Sequence, residues 1–156
     1  MMKDPKLLLL IETAIQKEEE AFVFYMDLFS RVADPIAKEA LKFVAGEEKK
    51  HKEFLVKYRD GGCGSSCLSP DQVVDYKIAE HLEAPDIQKN MESKDVYLVA
   101  AHRELASYKF YWSLAGVQPE GEAKQMLIRM AQEEMRHKEK MEYLYSNTAF
   151  PQTAGG

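Results

Sequence analysis

Slid along itself by 86 residues, the sequence matches. Glu18, Phe24, Tyr25 and Leu28 recur as Glu104, Phe110, Tyr111 and Leu114, and Ala37, Lys38 and Leu41 recur as Ala123, Lys124 and Leu127. The densest match pairs Ala45, Glu47, Glu48, His51, Lys52 and Glu53 with Ala131, Glu133, Glu134, His137, Lys138 and Glu139. In all, 13 of the 36 positions in 18–53 equal their partners. Apolar residues in both halves recur at helical spacing, so the repeat is a duplicated helical hairpin. With 156 residues, 46% of them apolar, and only 8 Gly and 6 Pro, the chain is a single domain over 1–156 that can bury a core without disulfides. A fold of many short strands and Gly/Pro turns is excluded.

Punctuation places four long helices. Asp4-Pro5 and Asp34-Pro35 are each an N-cap followed by proline at the first helical position. They predict helices over about 5–32 and 35–59, the second stopped by Asp60-Gly61-Gly62. The other hairpin is expected over about 93–115, with Ser93 near its N-cap, and about 120–145. Between the hairpins, 61–92 is too long for a tight turn and reads as a crossover with a short helix near 71–82. Residues 146–156 read as a flexible tail. The expected fold is all-α: a four-helix bundle of two antiparallel hairpins joined by one long connection.

The apolar stripes carry six polar intruders. On the first helix the stripe through Leu7, Ile11, Ala14 and Phe22 passes position 18, and on the second it passes Glu48 and His51. Glu104 lies between Ala101 and Tyr108, while Leu127, Met130, Met141 and Leu144 bracket Glu134 and His137. A buried, unpaired carboxylate costs several kcal/mol, and Lys and Arg mostly sit off these stripes, so a metal is the simplest counter-charge. Height gives an independent check. Glu18 and Glu48 lie 15 residues either side of position 33, and Glu104 and Glu134 the same distance either side of 119. Each Glu is then roughly 22 Å from its turn, and all four meet in one layer. Each histidine, three residues past its Glu, shares that face.

One Glu from each of two helices, plus Glu-x-x-His from each of the other two, is the carboxylate pattern of ferritin-like di-iron and di-manganese bundles. With Glu18, Glu104, Glu48-Lys49-Lys50-His51 and Glu134-Met135-Arg136-His137, the sequence resembles the rubrerythrin branch of that superfamily over about residues 5–145. The resemblance implies a ferritin-like fold and two irons, with Glu48 and Glu134 bridging and Glu18, Glu104, His51 and His137 as terminal ligands. Two features depart from the family. Rubrerythrins usually carry a rubredoxin-like pair of Cys-x-x-Cys motifs after the bundle, and none follows Tyr145 here. They also carry a further Glu at the position of Ser107, a residue associated with the redox-linked ligand exchange of the family's peroxidases.

Other residues admit simpler roles. Tyr25 and Tyr111, seven residues past their Glu, either pack the core or hydrogen-bond a ligand carboxylate. His81, His102, Glu47 and Glu133 read as solvated. Cys63 and Cys67 sit in a Gly/Ser-rich loop whose spacing matches neither zinc nor thioredoxin motifs; the readings are an inert loop, a redox pair, or a second metal site. A net charge of −5 without a basic stripe argues against nucleic acid. The longest apolar run, Leu7 to Ile11, is too short for a membrane span or a signal-peptide core, so a cytoplasmic protein is expected. Imidazole and carboxylate suit iron, manganese and zinc alike, and the count of four carboxylates and two histidines favours iron. The expected function is reduction of peroxide or dioxygen at a di-iron centre, fed by a separate and rubredoxin-like donor. Iron storage or ferroxidase activity, and a non-catalytic helical interaction module, are the other two readings. Exposed helix faces and family habit allow a homodimer.

Overall fold

The computed structural model describes residues 4–62, 68 and 75–150. Its helices are α1 (Pro5–Phe29), α2 (Pro35–Arg59), the short α3 (Ile78–His81), α4 (Ser93–Gly116) and α5 (Glu122–Ala149). The hairpins α1–α2 and α4–α5 form the bundle, and α3 lies in the crossover against α4. This is the all-α ferritin-like arrangement the sequence predicts.

Both Asp-Pro devices work as read. Asp4 accepts a hydrogen bond from the Lys6 backbone N–H at 2.9 Å, and Asp34 accepts one from Ile36 at 3.1 Å. Each such cap contributes about 1 kcal/mol. Several boundaries differ. Of the short helix expected near 71–82, the described residues form only Ile78–His81, with 75–77 non-helical. α1 stops at Phe29, because Ser30 and Arg31 turn on hydrogen bonds to Met26, Asp27 and Leu28. Ser93 is the first residue of α4 rather than its cap, and its hydroxyl instead donates to Asp34 at 2.8 Å, tying the two hairpins together. α5 runs on to Ala149, so the first residues of the expected tail are helical.

The apolar core is divided in two. One cluster contains Ala21, Tyr25, Leu28, Leu41, Val44, Ala45, Tyr97, Ala101 and Met141. The other contains Ile11, Ala14, Ile15, Phe54, Leu55, Tyr111, Met126, Leu127, Met130 and Ala131. Every long helix crosses from one cluster to the other at the same level: after Ile15, after Ala45, after Ala101 and after Ala131. The residues at these crossings are Glu18, Glu48 with His51, Glu104, and Glu134 with His137. A polar layer therefore cuts through the middle of the bundle.

Candidate metal centre

All six of these side chains are at least 96% buried, with Glu104 and Glu134 wholly so. The arrangement follows the repeat. His51 Nδ1 lies 2.9 Å from Glu134, 3.6 Å from Glu18 and 3.7 Å from Glu48. His137 Nδ1 lies 3.0 Å from Glu48 and 3.6 Å from Glu104. The two imidazoles stack with centroids 5.4 Å apart. Two sets of donor atoms result, each lying within 4.8 Å: Glu18, Glu48, His51 and Glu134, and Glu48, Glu104, Glu134 and His137. Glu48 and Glu134 belong to both.

The tyrosines hydrogen-bond across the hairpins. Tyr25 of α1 donates to Glu104 of α4 at 2.7 Å, and Tyr111 of α4 donates to Glu18 of α1 at 2.6 Å. Both rings are buried, so core packing and carboxylate orientation are served by the same residue. Each hydroxyl fixes one oxygen of a Glu and leaves the other facing the layer.

The electrostatics call for cations. Burial, and then repulsion from neighbouring carboxylates, pushes Glu48 and Glu134 well above the ordinary carboxylate range. Burial opposes ionisation of Glu18 and Glu104 too. There it is outweighed, for Glu18 by contacts with Glu48, His51 and Tyr111, and for Glu104 by those with His137, Glu134 and Tyr25, and both fall below their usual value. Burial draws the imidazoles down, but the carboxylates, Glu18 foremost for His51 and Glu104 for His137, raise both above the histidine norm. Burial and the adjacent carboxylates raise Tyr25 and Tyr111 well above 10.0, so they remain hydrogen-bond donors. On its own, the layer balances its charge with shared protons.

Hydrogen bonding leaves a remainder. Glu18 Oε2, Glu48 Oε2, Glu104 Oε2, both Glu134 oxygens and His51 Nδ1 are buried without a hydrogen-bond partner. The 2.9 Å approach of His51 Nδ1 to Glu134 is an ion-pair distance that lacks hydrogen-bond geometry. Buried polar atoms left unpaired are expensive. These converge from four helices, and two metal ions, one per donor set, would satisfy them and supply the missing charge. The residues present fit a two-metal carboxylate centre.

The sequence matches the rubrerythrin family over residues 10–145. The chain belongs to the rubrerythrin family. A hypothetical protein from Pyrococcus furiosus is similar in structure, with a TM-score of 0.63 and 26% sequence identity over 95% of this chain and 93% of that one. None of the curated proteins matches. The rubrerythrin family suggests a di-iron centre, and the buried Glu/His layer is where such a centre fits.

Several residues of this rubrerythrin-family chain depart from their sequence reading. Glu133 is buried rather than solvated, with its carboxylate 3.4 Å from His51 Nε2. Glu47, its repeat partner, is half-buried and only 4.0 Å from Lys50. Lys138 is fully buried, whereas its partner Lys52 is only half-buried. Its ammonium meets Asp75 at 2.7 Å, Glu80 at 2.8 Å and Glu142 at 3.0 Å. Burial lowers the Lys138 pKa, but these three carboxylates more than reverse that. Glu142, buried as well, accepts hydrogen bonds from the backbone N–H groups of Ile78 and Ala79 at 2.6 and 2.8 Å. The crossover is thus pinned to α5 one turn beyond His137. Helical spacing gives no hint of this, because the cover comes from a segment outside the repeat. His81 is exposed as expected. His102 is half-buried and donates to the Leu82 carbonyl at 2.6 Å, away from the layer. Cys63 and Cys67 lie outside the described residues. Among the described residues, no helix is long and apolar enough to cross a membrane.

Proposed function

We propose that the chain is a di-iron redox protein that reduces hydrogen peroxide or dioxygen with electrons from a separate donor. The observation that carries this reading is the pair of buried donor sets sharing Glu48 and Glu134. When bound, an iron pair supplies two electrons, one from each ion, which with two protons convert one peroxide molecule to two waters.

The roles of the chain's own residues follow from where they sit. Glu48 and Glu134, common to both sets, would be shared by the two ions, and Glu18 with His51 and Glu104 with His137 would complete the two positions. Tyr111 and Tyr25 hold Glu18 and Glu104 in place through their hydroxyl protons. Such outer partners keep a ligand's orientation when the charge at a centre changes. The two flanking apolar clusters exclude bulk water. A cavity of about 100 Å³ beside Glu18, lined also by Ser107, Phe110 and Tyr111, is large enough to admit a molecule as small as peroxide. Cys63 and Cys67 lack rubredoxin spacing, and a separate rubredoxin-like protein suits the role of electron donor. We assign the protein to the cytoplasm, with a homodimer as its assembly.

Ser107 favours a second reading. Without a carboxylate there, the centre resembles one in which Fe(II) is itself the substrate, a ferroxidase or storage protein. The test is to load the metal-free protein anaerobically with Fe(II) and mix it with hydrogen peroxide or oxygen. Fast oxidation by peroxide, with turnover on added reductant, supports the first reading. Iron uptake far above two per chain supports the second. Fewer than one metal per chain, unchanged in Glu48→Ala and His137→Ala, would overturn both and leave a non-catalytic helical module.

A further inference from the structure

The repeat makes the two halves of the centre equal in sequence, yet the structure builds them unequally. Glu133 and Glu47 occupy the same place in their repeats, one residue before a candidate ligand Glu. Glu133 lies near both imidazoles but closes on one: its Oε2 is 3.4 Å from His51 Nε2. With Nε2–H directed at a buried carboxylate, the neutral His51 that a metal requires is held in the tautomer whose Nδ1 faces Glu18, Glu48 and Glu134. Among the described residues, His137 Nε2 has no such partner. His137 instead lines a cleft of about 520 Å³ with Phe43, Tyr76, Lys140 and Tyr143. One imidazole is backed by a carboxylate, and the other borders an opening to solvent.

We propose that Glu133 is a positioning residue that makes the two metal positions unequal. The position formed by Glu18, Glu48, Glu134 and His51 fills first and releases last. The position served by His137 exchanges through the cleft. A carboxylate on the outer nitrogen of a ligand histidine fixes the ring and raises its basicity, and losing such a partner typically costs roughly 10–100-fold in metal affinity. The cleft acts on the other position, because a ligand bordering solvent gives an ion and its water a route in and out. This inference rests on the reading of the six side chains as a two-metal centre.

The test is a titration of the metal-free protein with Co(II), followed by the absorption of the bound ion and by competition with a chromophoric chelator. The expected result is two steps about tenfold or more apart. Glu133→Ala weakens the first step roughly 10–100-fold and merges it with the second. Glu133→Gln keeps a carbonyl acceptor for Nε2–H and recovers most of the loss, whereas Glu133→Met, similar in bulk but without that acceptor, does not, a difference a packing role alone would not produce. Glu47→Ala leaves both steps unchanged. Two equal steps in the unaltered protein, or equal weakening of both steps in Glu133→Ala and Glu133→Gln, would overturn the inference while leaving the two-metal reading intact. No Co(II) binding at all would instead defeat the two-metal reading on which it rests.

Discussion

Replacing Glu48 with Gln should make the metal-free protein more stable while disabling its metal centre. Glu48 stands among three other buried carboxylates, and burial and repulsion from Glu104 and Glu18 push its pKa well above the ordinary value of 4.5. The sign is fixed by linkage. Below that value the carboxyl is protonated in both folded and unfolded chains, and it costs nothing. As pH rises, the unfolded chain releases the proton while the folded one retains it, so stability falls until the folded group ionises. While the folded group keeps a proton that the unfolded chain has already lost, each further pH unit costs about 1.4 kcal/mol. Glutamine is nearly isosteric and cannot ionise, so it keeps the packing while removing the charge. Allowing for imperfect amide geometry, Glu48→Gln should stabilise the metal-free protein by about 1–3 kcal/mol at pH 7. For a chain of this size that is roughly 2–12 °C in Tm. At pH 4 the gain should vanish. The assay is urea or thermal unfolding of chelator-treated protein at both pH values, with metal affinity measured in parallel. Because Glu48 belongs to both donor sets, both metal ions should bind more weakly. A Glu48→Gln variant less stable than the parent at pH 7, with the two alike at pH 4, would refute the claim that uncompensated carboxylate charge strains the layer.

Three further outcomes follow from the same geometry. Tyr25→Phe and Tyr111→Phe each remove a buried hydrogen bond to a carboxylate and should cost about 1.5–3 kcal/mol in urea unfolding, with a matching loss of metal affinity by chelator competition. Lys138→Met leaves Glu142 buried without its cation and should destabilise by about 3–5 kcal/mol, with faster proteolysis in the crossover near residues 75–82; unchanged unfolding would mean the ammonium is not the anchor. Metal binding must displace protons from Glu48, Glu134, His51 and His137, all raised above their usual values, so affinity should climb from pH 5 to pH 8 with protons released on loading. A flat affinity over that range would show that these groups are not the ligands.

What the sequence made legible was the part governed by local rules and by the repeat. Asp-Pro pairs announce helix starts because a carboxylate cap and a fixed proline φ act within one turn. The six layer residues stand out because a charged side chain on an apolar stripe is costly wherever the helix packs. Glu133 and Lys138 escaped because their burial is decided elsewhere. Their partners Glu47 and Lys52 share their identity and helical phase, yet only the α5 copies are covered. For Lys138 the crossover supplies that cover, with Asp75, Glu80 and the backbone of Ile78 and Ala79 arriving on Lys138 and Glu142, while Glu133 turns to His51 on the opposite hairpin. Periodicity reports which face a helix turns inward, not what a long connection later lays across its back. The Tyr25 and Tyr111 hydroxyls were ambiguous for a related reason: each reaches a carboxylate on the opposite hairpin, 79 and 93 residues away in the chain.

The central claim is that Glu18, Glu48, His51, Glu104, Glu134 and His137 hold two metal ions. Anomalous diffraction at the iron edge, from crystals of the protein reconstituted with Fe(II), tests it most directly. The account predicts two peaks inside the bundle, both touching Glu48 and Glu134, one beside His51 and the other beside His137. A single peak, or iron bound only at surface carboxylates with the layer empty, would contradict it.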